Sequence, residues 1–164
     1  MNIAVIDDSI DDARQLAGFV STYFSDAHIS QKTTIFNTAA DFLNIWHTGG
    51  YDLVFIDIYL KGEASGIRIA ERIRRDDDQC TIIFTTSSTD FALKGYEVRA
   101  LDYMLKPLRY GKFCQTMDYF RSVSQRKRSH YIEVKESRIM VKLPVDDILY
   151  TDYSNDDIQI HLQD

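Results

Sequence analysis

Side chains suited to phosphate chemistry stand at the ends of four short apolar segments of this chain. They comprise three carboxylates, a hydroxyl and an ammonium group, spread over about a hundred residues: Asp7, Asp8, Asp57, Thr86 and Lys106. Carboxylates bind hard divalent cations, whereas hydroxyl and ammonium groups bind phosphoryl oxygens. If folding brings these groups together, the chemistry they support is the transfer of a phosphoryl group.

The elements that must position these side chains follow from the hydrophobic pattern. Short apolar runs alternate with stretches of helical period, which predicts βαβ units of a parallel sheet whose strand ends share one ligand-binding edge. Five such units in about 120 residues predict an α/β, flavodoxin-like, doubly wound sheet of order 2-1-3-4-5 with helices on both faces. Strands are predicted at 3–6, 31–36, 52–58, 81–85 and 100–105, and helices at 11–24, 38–46, from 65 or 66, at 90–98 and at 110–124.

Composition narrows the class of protein. The 164 residues are 45% hydrophobic, enough for a real core, and the net charge of −6 gives no overall attraction to nucleic acid or anionic membrane. Neither a signal peptide nor an apolar run of membrane-spanning length is present, so we expect no membrane association and a cytoplasmic location. Cys80 and Cys114 are predicted to be small buried hydrophobes, and the scattered histidines predict no metal site.

The composition changes after residue 120. Residues 121–129 carry four basic side chains and no acidic one, which predicts the end of a helix running into a basic linker at 124–130. Strand-like segments separated by turn residues follow at 131–134, 139–143, 148–150 and 158–162. We therefore predict a first domain at 1–123 and a short C-terminal antiparallel β segment at 131–164.

The three acids would need a cation. Carboxylates about 4 Å apart repel one another by about 4 kcal/mol per pair at an effective dielectric near 20. Mg²⁺ is the natural partner because it takes oxygen ligands in octahedral geometry and commonly binds one or two carboxylates together with phosphate. We expect Asp8 and Asp57 to bind the ion directly and Asp7 to hold one of its water molecules, with the backbone carbonyl of Tyr59 completing the protein's share.

Asp57 is the candidate nucleophile, because it ends the most apolar strand, where the sheet centre holds it rigidly. Lys106 can supply a point charge for one phosphoryl oxygen and Thr86 a hydrogen bond for another. Each residue also has an ordinary interpretation: an acid after a strand is commonly a turn or helix N-cap residue, a lysine is commonly solvated, and threonine favours strands. Their occurrence together, each at a strand end, favours the functional interpretation.

The chain resembles the receiver domains of two-component response regulators over residues 2–123. The matching motifs are VIDDS at 5–9, FIDI at 55–58, FTTS at 84–87 and YMLKP at 103–107. The resemblance implies that Asp57 accepts a phosphoryl group from a phosphohistidine on a sensor histidine kinase. It also implies that Asp7, Asp8 and the Tyr59 carbonyl serve Mg²⁺, that Thr86 and Lys106 contact the phosphoryl group, and that the peptide bond between Lys106 and Pro107 is cis.

Tyr103 matches the switch aromatic of this family, three residues before the lysine; the ordinary interpretation is a half-buried strand tyrosine. A shift of Thr86 toward the phosphoryl group would free space for the ring and change the face formed by helix 4, strand 5 and helix 5, which is also a candidate homodimer surface. The loop after Asp57 departs from the family, with Lys61 where many receivers have proline and its glycine, Gly66, one residue late.

The C-terminal segment resembles the opening strands of a LytTR-type DNA-binding module. The matching stretches are YIEV at 131–134, VDDILY at 145–150 and IQIH at 158–161, about a third of such a module. Residues 130–164 hold three basic and eight acidic side chains, and the turn at 155–157 is acidic, the wrong sign for contact with phosphates. We predict that this chain does not bind DNA specifically, and that DNA binding requires the complete module.

Three functions from different classes remain open on the sequence. The first is a phosphorylation-controlled transcription regulator, which is a switch rather than an enzyme. The second is a Mg²⁺-dependent phosphatase or hydrolase, which would require a second acid two residues after the nucleophile, where this chain has Tyr59. The third is a degenerate docking module that accepts no phosphate, and the complete set of site residues argues against it.

Overall fold

The computed structural model describes residues 1–61, 65–88, 97–129, 131–136, 139–154 and 157–162. It divides into two compact units, Met1–Thr116 and Met117–Asp164. The site lies in the first unit.

The first unit is built on a five-stranded parallel sheet with the order β2-β1-β3-β4-β5. This confirms the predicted flavodoxin-like order, in which β1 and β3 are central neighbours. The strands are β1 (Asn2–Ile6), β2 (Lys32–Phe36), β3 (Leu53–Asp57), β4 (Thr81–Thr86) and β5 (Asp102–Leu105).

The central strands are apolar because both faces of the sheet are covered. Every residue of β3 is buried, as are the last four residues of β1 and the last five of β4. Such strands read as continuous hydrophobic runs, as expected for a parallel sheet. The runs end where the strands leave the core, so the polar residues that follow lie together at the carboxyl edge.

Three helices of the first unit lie close to their predicted positions. They are α1 (Ile10–Asp26), α2 (Ala39–Ile45) and α3 (Ser65–Asp76). Ser9 caps α1 through a hydrogen bond from the Asp12 amide, and Thr38 caps α2 through one from the Asp41 amide. The helix predicted at 90–98 lies for the most part outside the described residues.

The last helix is longer than predicted. It runs over Tyr110–Ser129, α4 here and the fifth helix of the sequence analysis, so the predicted linker at 124–130 is helical as far as Ser129. The correction has a physical reason: Gln, Arg and Lys are good helix formers, and basic residues near a helix C-terminus interact favourably with its dipole. The basic residues therefore lie in the last turns of α4.

The second unit contains two antiparallel hairpins, as the sequence predicted. The strands β6 (Tyr131–Glu136) and β7 (Ile139–Pro144) form one, and β8 (Ile148–Ser154) and β9 (Asp157–Leu162) form the other. A short 3₁₀ helix, Val145–Asp147, precedes β8. Large apolar side chains stand exposed on these strands, with both Tyr153 and Ile158 at 70% exposure. The turn at 155–157 lies in part outside the described residues.

Among the described residues, no helix combines the length and the apolar character needed to cross a membrane.

Candidate functional site

Three of the predicted acids meet at the carboxyl edge of the sheet. Oxygen atoms of Asp7, Asp8 and Asp57 all lie within 4.8 Å of one another. Asp57 is the last residue of β3, while Asp7 and Asp8 directly follow β1, the neighbouring strand. Asp7 and Asp57 are buried and Asp8 is exposed. The cluster is thus open to solvent on the side of Asp8.

Lys106, which directly follows β5, reaches into this cluster. Its Nζ lies 2.8 Å from Asp7 Oδ2 and 2.7 Å from Asp57 Oδ2. Burial would by itself lower the pKa of Lys106, but hydrogen bonds to Asp12, Asp57 and Asp7 outweigh it and raise the pKa above its usual range. The side chain is therefore a fixed positive charge at neutral pH.

Burial makes the negative charge of Asp7 costly. Desolvation raises the pKa of Asp7 above its ordinary value, against the opposing effects of Lys106 and of the hydrogen bond from the Ser9 amide. The Asp7 side chain is only 2% exposed, and its Oδ1 accepts that bond at 3.0 Å. A cation in the pocket would relieve this cost because it stabilises the ionised form.

The donor set fits a magnesium ion. Oxygen atoms of the three carboxylates lie within 4.8 Å of one another, close enough for one ion to be held among them. The donors are all oxygens, the ligand type that Mg²⁺ prefers.

The loop after β3 is tied to the same acids through its backbone. The Tyr59 amide donates to Asp57 Oδ1 at 3.1 Å, and the Lys61 amide donates to Asp8 Oδ2 at 2.8 Å. Lys61 has a left-handed backbone, with φ of 53°. The role of the Tyr59 carbonyl as a ligand stays a prediction.

The position of Gly66, at the start of α3, requires a glycine. A Cβ atom built at Gly66 would lie 2.0 Å from the Asp57 carbonyl oxygen and 2.8 Å from Ile58 Cα. The Gly66 amide donates to the Ile58 carbonyl at 3.0 Å, so the start of α3 lies directly against the end of β3. Only a residue without a side chain allows this approach.

Thr86 and Tyr103 are joined through the backbone of Ser88. The Ser88 amide donates to Thr86 Oγ1 at 3.3 Å, and the Tyr103 hydroxyl donates to the Ser88 carbonyl at 2.7 Å. Thr86 is fully buried, and Tyr103 is half-buried with its ring 6.2 Å from that of Phe84. A displacement of the Thr86 hydroxyl would therefore act on the Tyr103 hydroxyl through one residue.

The backbone also links Thr86 to the lysine. The Lys106 amide donates to the Thr86 carbonyl at 2.7 Å, and Leu105 pairs with Thr86 in the sheet register. The peptide bond between Lys106 and Pro107 is cis, as the resemblance implied.

One acid of the site was missed by the sequence analysis. Asp12 Oδ2 lies 2.8 Å from Lys106 Nζ, as close as Asp7. Asp12 is in the first turn of α1, where acids commonly favour the helix dipole. No local signal separates that general role from a specific contact with a residue 94 positions away.

The two cysteines differ. Cys80 is buried as predicted, and burial, the largest cause, raises the pKa of its thiol to about 12. Cys114 is only half-buried, because it lies at the edge of the inward face of α4, next to the buried Phe113. Metal-ligating groups of three or more among the described residues include only the acidic cluster of the site.

Comparison with known proteins gives consistent results. Residues 5–118 match the response regulator receiver domain family. Sensory transduction protein LytT of Bacillus subtilis strain 168 is 38% identical over 74 residues, which cover 45% of this chain and 30% of LytT. The chain spans about a quarter to a half of the length of the curated relatives it matches.

Solved structures agree on the fold. The response regulatory domain of protein mrkE from Klebsiella pneumoniae superposes with a TM-score of 0.64 at 21% identity, over 77% of this chain and 99% of that one. The BeF3-activated receiver domain of DrrB, a Thermotoga maritima protein, superposes with a TM-score of 0.58 at 28% identity, over 74% and 97%.

Proposed function

Because the chain belongs to the response regulator receiver domain family of two-component signalling, we propose that it is a switch whose Asp57 accepts a phosphoryl group from a sensor histidine kinase. The observation that carries this proposal is the position of Asp57. Asp57 is the last residue of the fully buried strand β3. Its carboxylate contacts the Lys106 ammonium at 2.7 Å and lies within 4.8 Å of oxygens from Asp7 and Asp8.

The proposed transfer forms one bond to phosphorus and breaks another. A carboxylate oxygen of Asp57 forms a bond to phosphorus, while the bond between phosphorus and the histidine nitrogen of the kinase breaks and the nitrogen keeps its electron pair. Lys106 and Thr86 stabilise the negative charge of the phosphoryl oxygens through an ammonium and a hydroxyl donor. The protein's contribution is positioning and charge, as expected for phosphoryl transfer.

Asp7, Asp8, Asp57 and the backbone carbonyl of Tyr59 are the residues that would hold Mg²⁺. When bound, the ion supplies neutralisation of charge on the phosphoryl oxygens. The support for this assignment is the oxygen-only donor set and its close spacing.

We propose that phosphorylation changes the face formed by the predicted helix at 90–98, which lies mostly outside the described residues, together with β5 and α4. Thr86 turning toward the phosphoryl group would give up its hydrogen bond from the Ser88 amide, and the Ser88 carbonyl holds the Tyr103 hydroxyl. The change would shift an existing equilibrium between two arrangements of this face. We propose that the same face forms a homodimer.

The output that we propose is transcription control through a complete LytTR-type module. Its support is the resemblance of the C-terminal hairpins and the relatives named LytT and LytR. The segment here carries exposed apolar side chains on both hairpins, in keeping with a part of a larger unit.

The test is incubation with acetyl phosphate and Mg²⁺, followed by intact-mass measurement. We expect a single added phosphoryl group in the wild type, removed by hydroxylamine because it is an acyl phosphate, and absent when the metal is chelated. Asp57→Ala should abolish it. Asp11→Ala is the matched control, since Asp11 is an exposed acid of α1 that lies outside the cluster.

The other two functions predict different results. Continuous turnover of phosphomonoesters without a stable adduct would favour the hydrolase. Absence of any adduct in the wild type would favour the docking module and contradict the proposed function.

A further inference from the structure

The proposed transfer leaves one close contact of the site without a role. Asp12 Oδ2 lies 2.8 Å from Lys106 Nζ, and its side chain is 41% exposed. The position of Asp12 is set by the cap of α1, where its amide donates to Ser9 Oγ at 3.4 Å. The backbone of Asp12 is therefore held at the beginning of α1, and its carboxylate contacts the lysine from there.

The ammonium of Lys106 is shared among three carboxylates. Lys106 Nζ lies 2.7–2.8 Å from Asp7, Asp12 and Asp57, and an ammonium group has three N–H donors. Asp7 and Asp57 are the buried members, with side-chain exposures of 2% and 7%. They are also the two that the proposed function assigns to the metal and the phosphoryl group.

These two contacts would weaken during the reaction. A carboxylate that binds a divalent cation, or that becomes an acyl phosphate, has less negative charge to offer the lysine. Asp12 is bound to neither, so its contact with Lys106 can persist through the transfer. One N–H would then stay on Asp12 while the others turn toward the phosphoryl oxygens.

We propose that Asp12 is a positioning residue for Lys106, holding the ammonium over the pocket while Asp7 and Asp57 engage the metal and the phosphoryl group. The proposal rests on the proposed function of Asp57. Asp12 touches no reacting atom and acts through the lysine alone. Among the described residues, the acids close enough to share a metal ion are Asp7, Asp8 and Asp57, and Asp12 does not belong to that group.

The test compares initial rates of Asp57 phosphorylation by acetyl phosphate in saturating Mg²⁺. Asp12→Asn should slow the reaction roughly two- to fivefold, the range for a partly exposed ion pair. Asp12→Glu, which keeps the carboxylate, should recover part of the rate. Asp11→Asn is the matched control, because it removes the same charge from the same helix turn and should not slow the reaction.

A double-mutant cycle separates positioning from a general effect of charge. In a Lys106→Ala background, the Asp12→Asn substitution should no longer change the rate. Equal rates for Asp12→Asn and Asp11→Asn, or the same loss with and without Lys106, would overturn the proposal.

A second measurement tests the positioning role of Asp12 without relying on phosphorylation. A failure of Asp57 to accept a phosphoryl group would count against the proposed function alone. NMR relaxation of the Lys106 side chain with Mg²⁺ present reports its mobility directly. We expect Asp12→Asn to increase that mobility and Asp11→Asn to leave it unchanged. Unchanged mobility in Asp12→Asn would overturn the positioning role.

Discussion

At the level of single residues, the site is a balance of four carboxylates against one ammonium group. Lys106 contacts Asp7, Asp12 and Asp57, and Asp8 completes the acidic cluster on the solvent side. One positive charge cannot neutralise four negative ones. The arrangement therefore favours a further cation, and the proposed magnesium site and the lysine contacts follow from the same excess of charge.

A third buried acid, Asp77, differs from Asp7 in that its pKa is lowered rather than raised. Its oxygens accept backbone hydrogen bonds from Gly49 at 2.9 Å, Gln79 at 2.7 Å and Cys80 at 3.0 Å. Burial alone would raise the pKa of Asp77, but these bonds and the nearby Arg74 outweigh it and lower the pKa. The ionised carboxylate thus joins the loop before β3 to the turn before β4.

Replacing Asp77 with asparagine should lower the free energy of unfolding by about 1–3 kcal/mol at pH 7, because an amide cannot accept all three bonds. The folded pKa lies below the unfolded one, so the stabilisation is complete above the unfolded value of about 3.9 and is lost as the pH falls through the folded value. Urea unfolding at a series of pH values from 7 downwards should show the two proteins converging.

Asp78→Asn is the control for this comparison. Asp78 forms an exposed ion pair with Arg99, which is worth at most about 1 kcal/mol. A loss in Asp77→Asn no larger than in Asp78→Asn, or one that stays constant with pH, would contradict the assignment.

At the level of elements, the site depends on the close approach of α3 to the end of β3. Gly66 begins this contact, since its Cα faces the Asp57 carbonyl with no room for a methyl group. The atoms in the way belong to the backbone, which cannot move without shifting the strand that carries Asp57. The start of α3 is thereby tied to the position of Asp57.

We predict that Gly66→Ala lowers the free energy of unfolding by about 1–3 kcal/mol, the usual cost of overpacking, and slows phosphorylation of Asp57. Gly18→Ala, in the middle of α1, should instead raise stability by about 0.5–1 kcal/mol, because nothing lies within 4 Å of the added atom. Chemical denaturation and the acetyl phosphate assay measure the two effects. Equal stabilities for the two variants would show that the contact is not tight.

At the level of the whole molecule, the second unit combines a net negative charge with exposed apolar side chains. Residues 130–164 carry an excess of acidic side chains, and the described hairpins expose large apolar ones such as Ile139, at 69%. The net negative charge of this segment does not attract DNA phosphates, and exposed apolar side chains that lie together commonly mark contact sites.

The 164-residue chain should therefore show no sequence-selective binding to DNA in a mobility-shift titration. Basic contacts to phosphate are the main source of such affinity, and here the net charge is of the wrong sign. Binding that is both selective for sequence and weakened by salt would contradict this prediction. Comparing phosphorylated with unphosphorylated protein tests whether the modification changes the result.

The sequence by itself determined the features that depend on local pattern. Apolar runs of strand length predicted the central strands β1, β3 and β4, because these are buried on both faces. The number and spacing of the βα units predicted the flavodoxin-like strand order. The end of each run predicted where Asp7, Asp8, Asp57 and Lys106 would meet, since parallel strands end at one edge.

Only the tertiary structure decided the contacts between distant elements. Asp12 meets Lys106 because the lysine side chain reaches from the end of β5 across the carboxyl edge of the sheet to the first turn of α1. Ser88 joins Thr86 to Tyr103 because β4 and β5 are neighbours. Such contacts depend on the angles at which helices and strands pack. Acids in a first helix turn and serines after a strand are common, so the residue type alone does not identify the distant partner. Periodicity identifies which face of an element is buried, but not which side chain lies opposite it.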